Sequence, residues 1–227
     1  MYNVTKSDVL KAVAEWKDRV HIKVVPITEE CVEDGITEDS ITEVREDLGV
    51  KVIYQLIMKD TDDACLYASM NSFLLGFIGL DVDEFKESAY KYNKENSSYS
   101  FYNLATILSD IPGDVLEEAE IEQVDSTCMF TILSNKSKNC GASAILYPEL
   151  FEEYPGDTEN GIIILPSSIH ECICYTVPFG ADMKKVYENF KEMVMSVNAE
   201  KVSAEEYLSD EPLLYREGVI KLMKDYL

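Results

Sequence analysis

The chain has 227 residues, 46% of them hydrophobic, which is enough to bury a core without help from disulfides or a metal. Its 43 acidic residues against 20 basic ones give a formal charge of -23, which opposes direct nucleic-acid binding, since that depends on Lys and Arg neutralising phosphates. The longest apolar run, "FLLGFIGL", is eight residues, far short of a membrane span, and the first twenty residues lack the apolar stretch of a secretory signal.

Residues 5–19 predict an amphipathic helix capped by Thr5 or Ser7, with Val9, Leu10, Val13 and Trp16 at helical spacing. "VHIKVVPI" (20–27) has the β-branched content of a strand. Residues 29–47 hold nine acids and one base, and predict a solvated loop with a short helix where Ile41, Val44 and Leu48 recur. "VKVIYQLIMKD" and "ACLYASM" flank "TDD" and predict a hairpin.

"NSFLLGFIGL" predicts a short buried helix ended by glycine. A second helix follows over "DVDEFKESAYKYNKE", where Asp81 and Glu84 have capping-box spacing. "YNLATILSDI" predicts a short helix, and residues 114–125, with six acids and no base, an exposed connector.

"TCMFTILSN" and "GIIIL" read as strands, and so does "ECICYTVPFG". Between them, Tyr147-Pro148 stops a helix from running through Tyr147, and "ELFEEY" forms a short one after it. "ADMKKVYENFKEMVMSVN" predicts the clearest helix, with Met183, Val186, Tyr187, Phe190, Val194 and Val197 along one stripe. "SAEEYL" predicts a short helix, and "PLLYREGVIKLM" a closing strand or hairpin. Strands and helices mix without regular βαβ alternation. The predicted class is α+β, a mixed and largely antiparallel sheet or sheets packed against amphipathic helices. Residues 1–45 are expected to form a helix, strand and acidic loop, and residues 46–227 a single α+β domain.

"TILSN" followed by "GASAILYPELFEE", then "IIILPSSIHE", then "FKEMVMSVNAEKVSAEEYLSD" resembles a bacterial family of unknown function. That family occurs in anaerobic gut Gram-positive bacteria and their mobile elements. "EDLGVKVIYQLI" and "NSFLLGFIGLDVDEFKESA" also look like its middle region, so the resemblance covers roughly residues 46 to 212. The first 45 residues match it poorly. The resemblance implies a unified domain and a mobile-element setting, and brings no activity.

The residue types of nucleophilic catalysis occur together once, as Ser168, His170 and Glu171. Their spacing does not favour a triad: on a strand Glu171 points away from Ser168 and His170, and no GxSxG elbow is present. The same spacing fits a capping box, in which Ser168 and Glu171 satisfy each other's amides. In that reading Ile169 plugs the core and His170 is a polar turn residue.

No metal site is expected, because His21 and His170 are far apart and Cys172 and Cys174 lack a matching pair. No phosphate loop or dinucleotide fingerprint appears, so no cofactor is expected. All six cysteines, none in a CxxC pair, are expected to be reduced. The leading expectation is a non-enzymatic cytoplasmic protein that binds another protein and touches neither membrane nor nucleic acid. One form of it is mimicry of nucleic acid by the acidic runs at 29–47 and 114–125. The rival is a small hydrolase centred on Ser168 and His170.

Overall fold

A computed structural model describes residues 4–27, 36–61, 64–103 and 130–227. Two antiparallel sheets share one core. The first is built on a long central strand, β3 (Val50–Thr61), with β1 (Val20–Pro26) along one side. The other side is divided between β2 (Thr42–Arg45), which pairs with Val50–Ile53, and β4 (Ala64–Ser69), which pairs with Gln55–Thr61. β3 alternates as a half-buried strand does: Val50, Val52, Tyr54, Leu56 and Met58 enter the main core. Ala12, Trp16, Phe85 and Ala89 meet them there, from α1 (Lys6–Ala14), α2 (Trp16–Arg19) and α4 (Val82–Ser97). β1 and β2 precede residue 46 and are hydrogen-bonded to β3, which follows it.

The second sheet has six strands in the order β10-β9-β7-β8-β6-β5. They are β5 (Ser100–Asn103), β6 (Phe130–Ser134), β7 (Ile162–Leu165), β8 (Cys172–Thr176), β9 (Leu213–Arg216) and β10 (Val219–Leu222). β7 explains why "IIIL" is apolar without alternation. Ile162 and Ile164 face the main core, whereas Ile163 and Leu165 face a smaller cluster under α5 (Met183–Lys201). Two 3-10 turns, Gly141–Leu146 and Pro148–Glu153, follow β6; the first is wholly buried and touches β1 as well as β6. Among the described residues no helix is long and apolar enough to cross a membrane.

The predicted caps form. Thr5 and Asp8 make a capping box on α1, and Asp81 and Glu84 make one on α4, with Asp81 Oδ1 accepting the Glu84 N–H at 2.9 Å. Asp81→Ala is expected to lower stability by about 1 kcal/mol in urea denaturation, because the freed amides of the first turn lose that acceptor. The closing segment forms a hairpin whose Glu217 and Gly218 both have positive φ, 53° and 80°.

Four expectations change. Residues 42–45 are a strand, not helix or loop: Ile41 and Leu48 are buried beyond its two ends while Val44 between them is 51% exposed, so their helical spacing has no single face. Residues 203–208 make only one turn, in which Ser203 O accepts the N–H groups of both Glu206 and Tyr207. The chain then pairs with 167–169, through Ile169 N–H to Glu206 O and Leu208 N–H to Ser167 O. The short helix α3 (Ser72–Ile78) ends at left-handed Gly79 as expected, yet it buries only Leu74 and Leu75 and leaves Phe73 and Phe77 in solvent. Finally, Tyr102 and Asn103 belong to β5; the rest of the helix expected over 102–111, the acidic run 114–125 and residues 28–35 lie outside the described residues.

Candidate functional site

The turn after β7 is fixed mostly by backbone bonds. The Ser168 hydroxyl accepts the His170 N–H at 3.0 Å, two residues on rather than three. This is a serine turn, and no helical turn follows for a capping box to close. Ile169 is the expected core plug, with its N–H on Glu206 O and its carbonyl accepting the Ala142 N–H. The His170 carbonyl accepts from the Ser134 hydroxyl at 2.8 Å.

Both ring nitrogens of His170 face groups other than Ser168. Its Nδ1 accepts the Cys140 N–H at 3.2 Å, which in the neutral ring leaves the proton on Nε2. Nε2 lies 3.8 Å from a carboxylate oxygen of Glu206. Glu171 is half-buried beside Ser168; burial pushes its carboxyl above the usual range, and the nearby His170 and Ser168 hydroxyl pull it back. Glu171 therefore lies near both Ser168 and His170, while the two ring nitrogens of His170 face Cys140 and Glu206.

Cys140 is held in an uncommon backbone state, φ 54°, of a kind that costs on the order of 1–3 kcal/mol and persists only where surroundings enforce it. A chain of buried hydrogen bonds supplies that enforcement. Asn93 on α4 is 1% exposed. Its Oδ1 accepts the Ile22 N–H of β1 at 2.8 Å, and its Nδ2 donates to the hydroxyls of Tyr147 (2.9 Å) and Tyr99 (3.0 Å). The Ser143 hydroxyl donates to Cys140 O at 2.8 Å, so the Tyr99 hydroxyl donates to Ser143 Oγ, also at 2.8 Å. The chain thus runs from the first sheet to the Cys140 carbonyl. Next to it, a side chain at Gly141 would meet His170 O at 2.5 Å and Asn135 N at 2.7 Å, so only glycine lets these three segments stack.

This assembly is one wall of a cleft of about 910 Å³ whose other wall is β4 and the start of α3. Tyr67, Phe73, Asn139, Cys140, His170 and Glu206 are among its lining. A second cavity of about 630 Å³ adjoins it, and Tyr67 and Asn139 line both. The Asn139 amide donates to the Tyr67 hydroxyl across the two walls at 3.2 Å. His21 lines the second cavity, stacked on Tyr67 at 4.8 Å between ring centres.

Sequence reasoning singled out His170 but not Glu206, Cys140 or Asn93. A helical Asn gives no sign that its partners lie 71 residues before it and 54 after. Among the described residues no three His, Cys, Asp or Glu side chains are grouped to hold a metal. Cys65, Cys140, Cys172 and Cys174 are outside disulfides, and burial pushes the Cys172 and Cys174 thiols well up; Cys31 and Cys128 lie outside the described residues. Thiol titration under denaturing, non-reducing conditions is expected to count six thiols, one for each cysteine in the sequence. A count of four would reveal a disulfide.

A family described as a family of unknown function (DUF5688) matches residues 3–217. The chain belongs to this family. The match takes in residues 3–45, and it encloses every residue named above for the cleft. No curated protein and no solved structure matches the chain.

Proposed function

We propose that this DUF5688 member is a non-enzymatic cytoplasmic protein that acts by binding another protein, with the cleft and its α3 rim as the contact surface. The observation that carries this is the phenylalanine pair of α3. Phe73 and Phe77 pack edge to face at 5.0 Å, yet are 67% and 58% exposed, and Phe73 lines the cleft. Paired aromatics held in solvent beside a groove have the character of interface anchors. The direction of the His170 ring supports binding over hydrolysis, because both nitrogens face groups other than the Ser168 hydroxyl. The charge of -23 favours basic partners and speeds their encounter. The setting we propose is bacterial and tied to mobile elements. Nucleic-acid mimicry stays a form of this reading; of its two acidic runs, only residues 36–47 are described.

The test is a photo-crosslinking amino acid placed at Phe77 and, as control, at Val219, an exposed site on β10. In extracts of the producing cells, position 77 is expected to give discrete protein adducts that position 219 does not. Identical patterns would remove the α3 rim as the contact surface. An esterase or amidase activity of the purified protein lost in both Ser168→Ala and His170→Ala, with folding intact, would establish the hydrolase instead.

A further inference from the structure

We infer that the outer edge of β4 is a strand-docking site, at which an extended, basic segment of a partner protein adds to the first sheet inside the cleft. The inference rests on the protein-binding reading and names the kind of segment bound.

Among the described residues, β4 pairs with β3 along one edge and with no strand along the other. Among the described residues, no backbone bond outside that ladder involves Cys65–Ser69. These five consecutive residues all line the 910 Å³ cleft. Side chains on a strand alternate between faces, so a continuous run along a cavity means that the edge itself borders it. Gln55 and Lys23 from one face of the sheet, and Met58 and Leu74 from the other side, also line it.

Exposed edges are normally guarded by charge, proline or irregularity. β2 carries Glu43 and Arg45, and β10 carries Lys221. The outer edge of β1 is capped where Asn93 takes the Ile22 N–H. β4 reads Ala64-Cys65-Leu66-Tyr67-Ala68-Ser69, with no charge and no proline. The local bulge, between Ile57 and Lys59, is on β3, away from the outer edge. An edge whose N–H and C=O groups have no partner among the described residues is complementary to another extended backbone.

The charge decides what kind of backbone. A second copy would bring another -23 to the same surface, which opposes edge-to-edge self-pairing. Glu205 and Glu206 line the cleft opposite β4 and are exposed, placing carboxylates within reach of a docked strand. Leu66 and Phe73 offer apolar contacts beside them. The segment that fits is one in which apolar and basic side chains alternate, about five residues long, spanning roughly 17 Å at 3.3–3.4 Å each.

The probe is an end-capped heptapeptide of alternating valine and lysine, titrated into the full chain and followed by calorimetry and by backbone amide NMR shifts. Binding is expected at one peptide per chain, with the largest shifts in Cys65–Ser69. N-methylating two adjacent central amides removes a donor from whichever peptide edge faces β4, and should weaken binding at least tenfold. Glu205→Gln/Glu206→Gln should weaken it about fivefold and flatten its salt dependence, and a valine–glutamate heptapeptide should not bind. No binding of the valine–lysine peptide, equal affinity after N-methylation, or shifts confined elsewhere would overturn the inference. So would a chain that sediments as a dimer through the same amides, which assigns the edge to a second copy. If position 77 still crosslinks to a protein while the peptide fails, strand addition falls and the protein-binding reading stands. If the peptide binds while position 77 gives no adduct, the edge stands and the α3 rim falls.

Discussion

Replacing Asn93 by leucine is expected to destabilise the protein by about 4 kcal/mol, the loss of three buried hydrogen bonds plus one stranded backbone donor. Leucine keeps the branched four-atom shape of the asparagine side chain, but its methyl groups are bulkier, so some overpacking at this 1% exposed site adds to the loss of polarity. The Ile22 N–H, which is bonded to Asn93 rather than to β3, loses that acceptor once the amide is gone. The Tyr147 and Tyr99 hydroxyls lose their donor, and the second of these passes on support to Ser143 and the Cys140 carbonyl. At about 2–4 °C per kcal/mol for a chain of this size, the melting temperature falls by roughly 8–16 °C. Urea denaturation of the two proteins measures this directly. A loss below 1 kcal/mol would mean that the joint between α4, β1 and the Tyr99–Ser143 segment is held by packing alone.

His21→Phe is expected to remove one distinct part of the loss of stability on acidification between pH 6.5 and about 4. Burial, and secondarily the charge of Lys23, holds the folded imidazole at about 4 against an ordinary 6.5. Among the described residues its Nε2 is buried with no hydrogen-bond partner, so an added proton there finds no acceptor among them. Within that window the unfolded chain takes up a proton that the folded chain refuses. The contribution is therefore complete above pH 6.5 and lost as pH falls towards 4, worth about 3 kcal/mol at 1.4 kcal/mol per pH unit. Phenylalanine keeps the ring stacked on Tyr67 and removes the titration. The carboxylates titrate in both proteins, so the difference between their pH profiles, measured by urea denaturation at pH 7 and pH 4.5, isolates His21. Parallel profiles would show that the imidazole is protonated without cost.

Local rules carried most of the fold. The capping boxes of α1 and α4, the β3–β4 pairing and the Glu217-Gly218 hairpin all depend on residues within a few positions of one another. The α+β class follows from them. The misreadings come where distant partners decide. Residues 42–45 are a strand because β3 offers an edge to pair with, and residues 203–208 leave the helix because 167–169 bond to them. Phe73 and Phe77 were expected inside because apolarity alone does not say which side of a helix meets a core. The candidate site was legible only at His170. Its partners Cys140 and Glu206 stand 30 residues before it and 36 after, and no short spacing links them.

The smaller cluster beneath α5 divides the protein's resistance to opening. Ile163, Leu165, Val177, Leu214 and Met223 hold the helix through one buried apolar residue of its own, Val194, aided by half-buried Val186, Tyr187 and Phe190, and its buried Asn198 bonds to Ser209 and Asp210. The main core, which ties both sheets together, does not depend on it. α5 can therefore detach as a unit while the sheets stay closed, a sub-global event of lower free energy than complete unfolding. Under native conditions its amide protons exchange with deuterium ahead of those in β3 and β7, and a protease given time cuts within residues 183–201 before it reaches the strands.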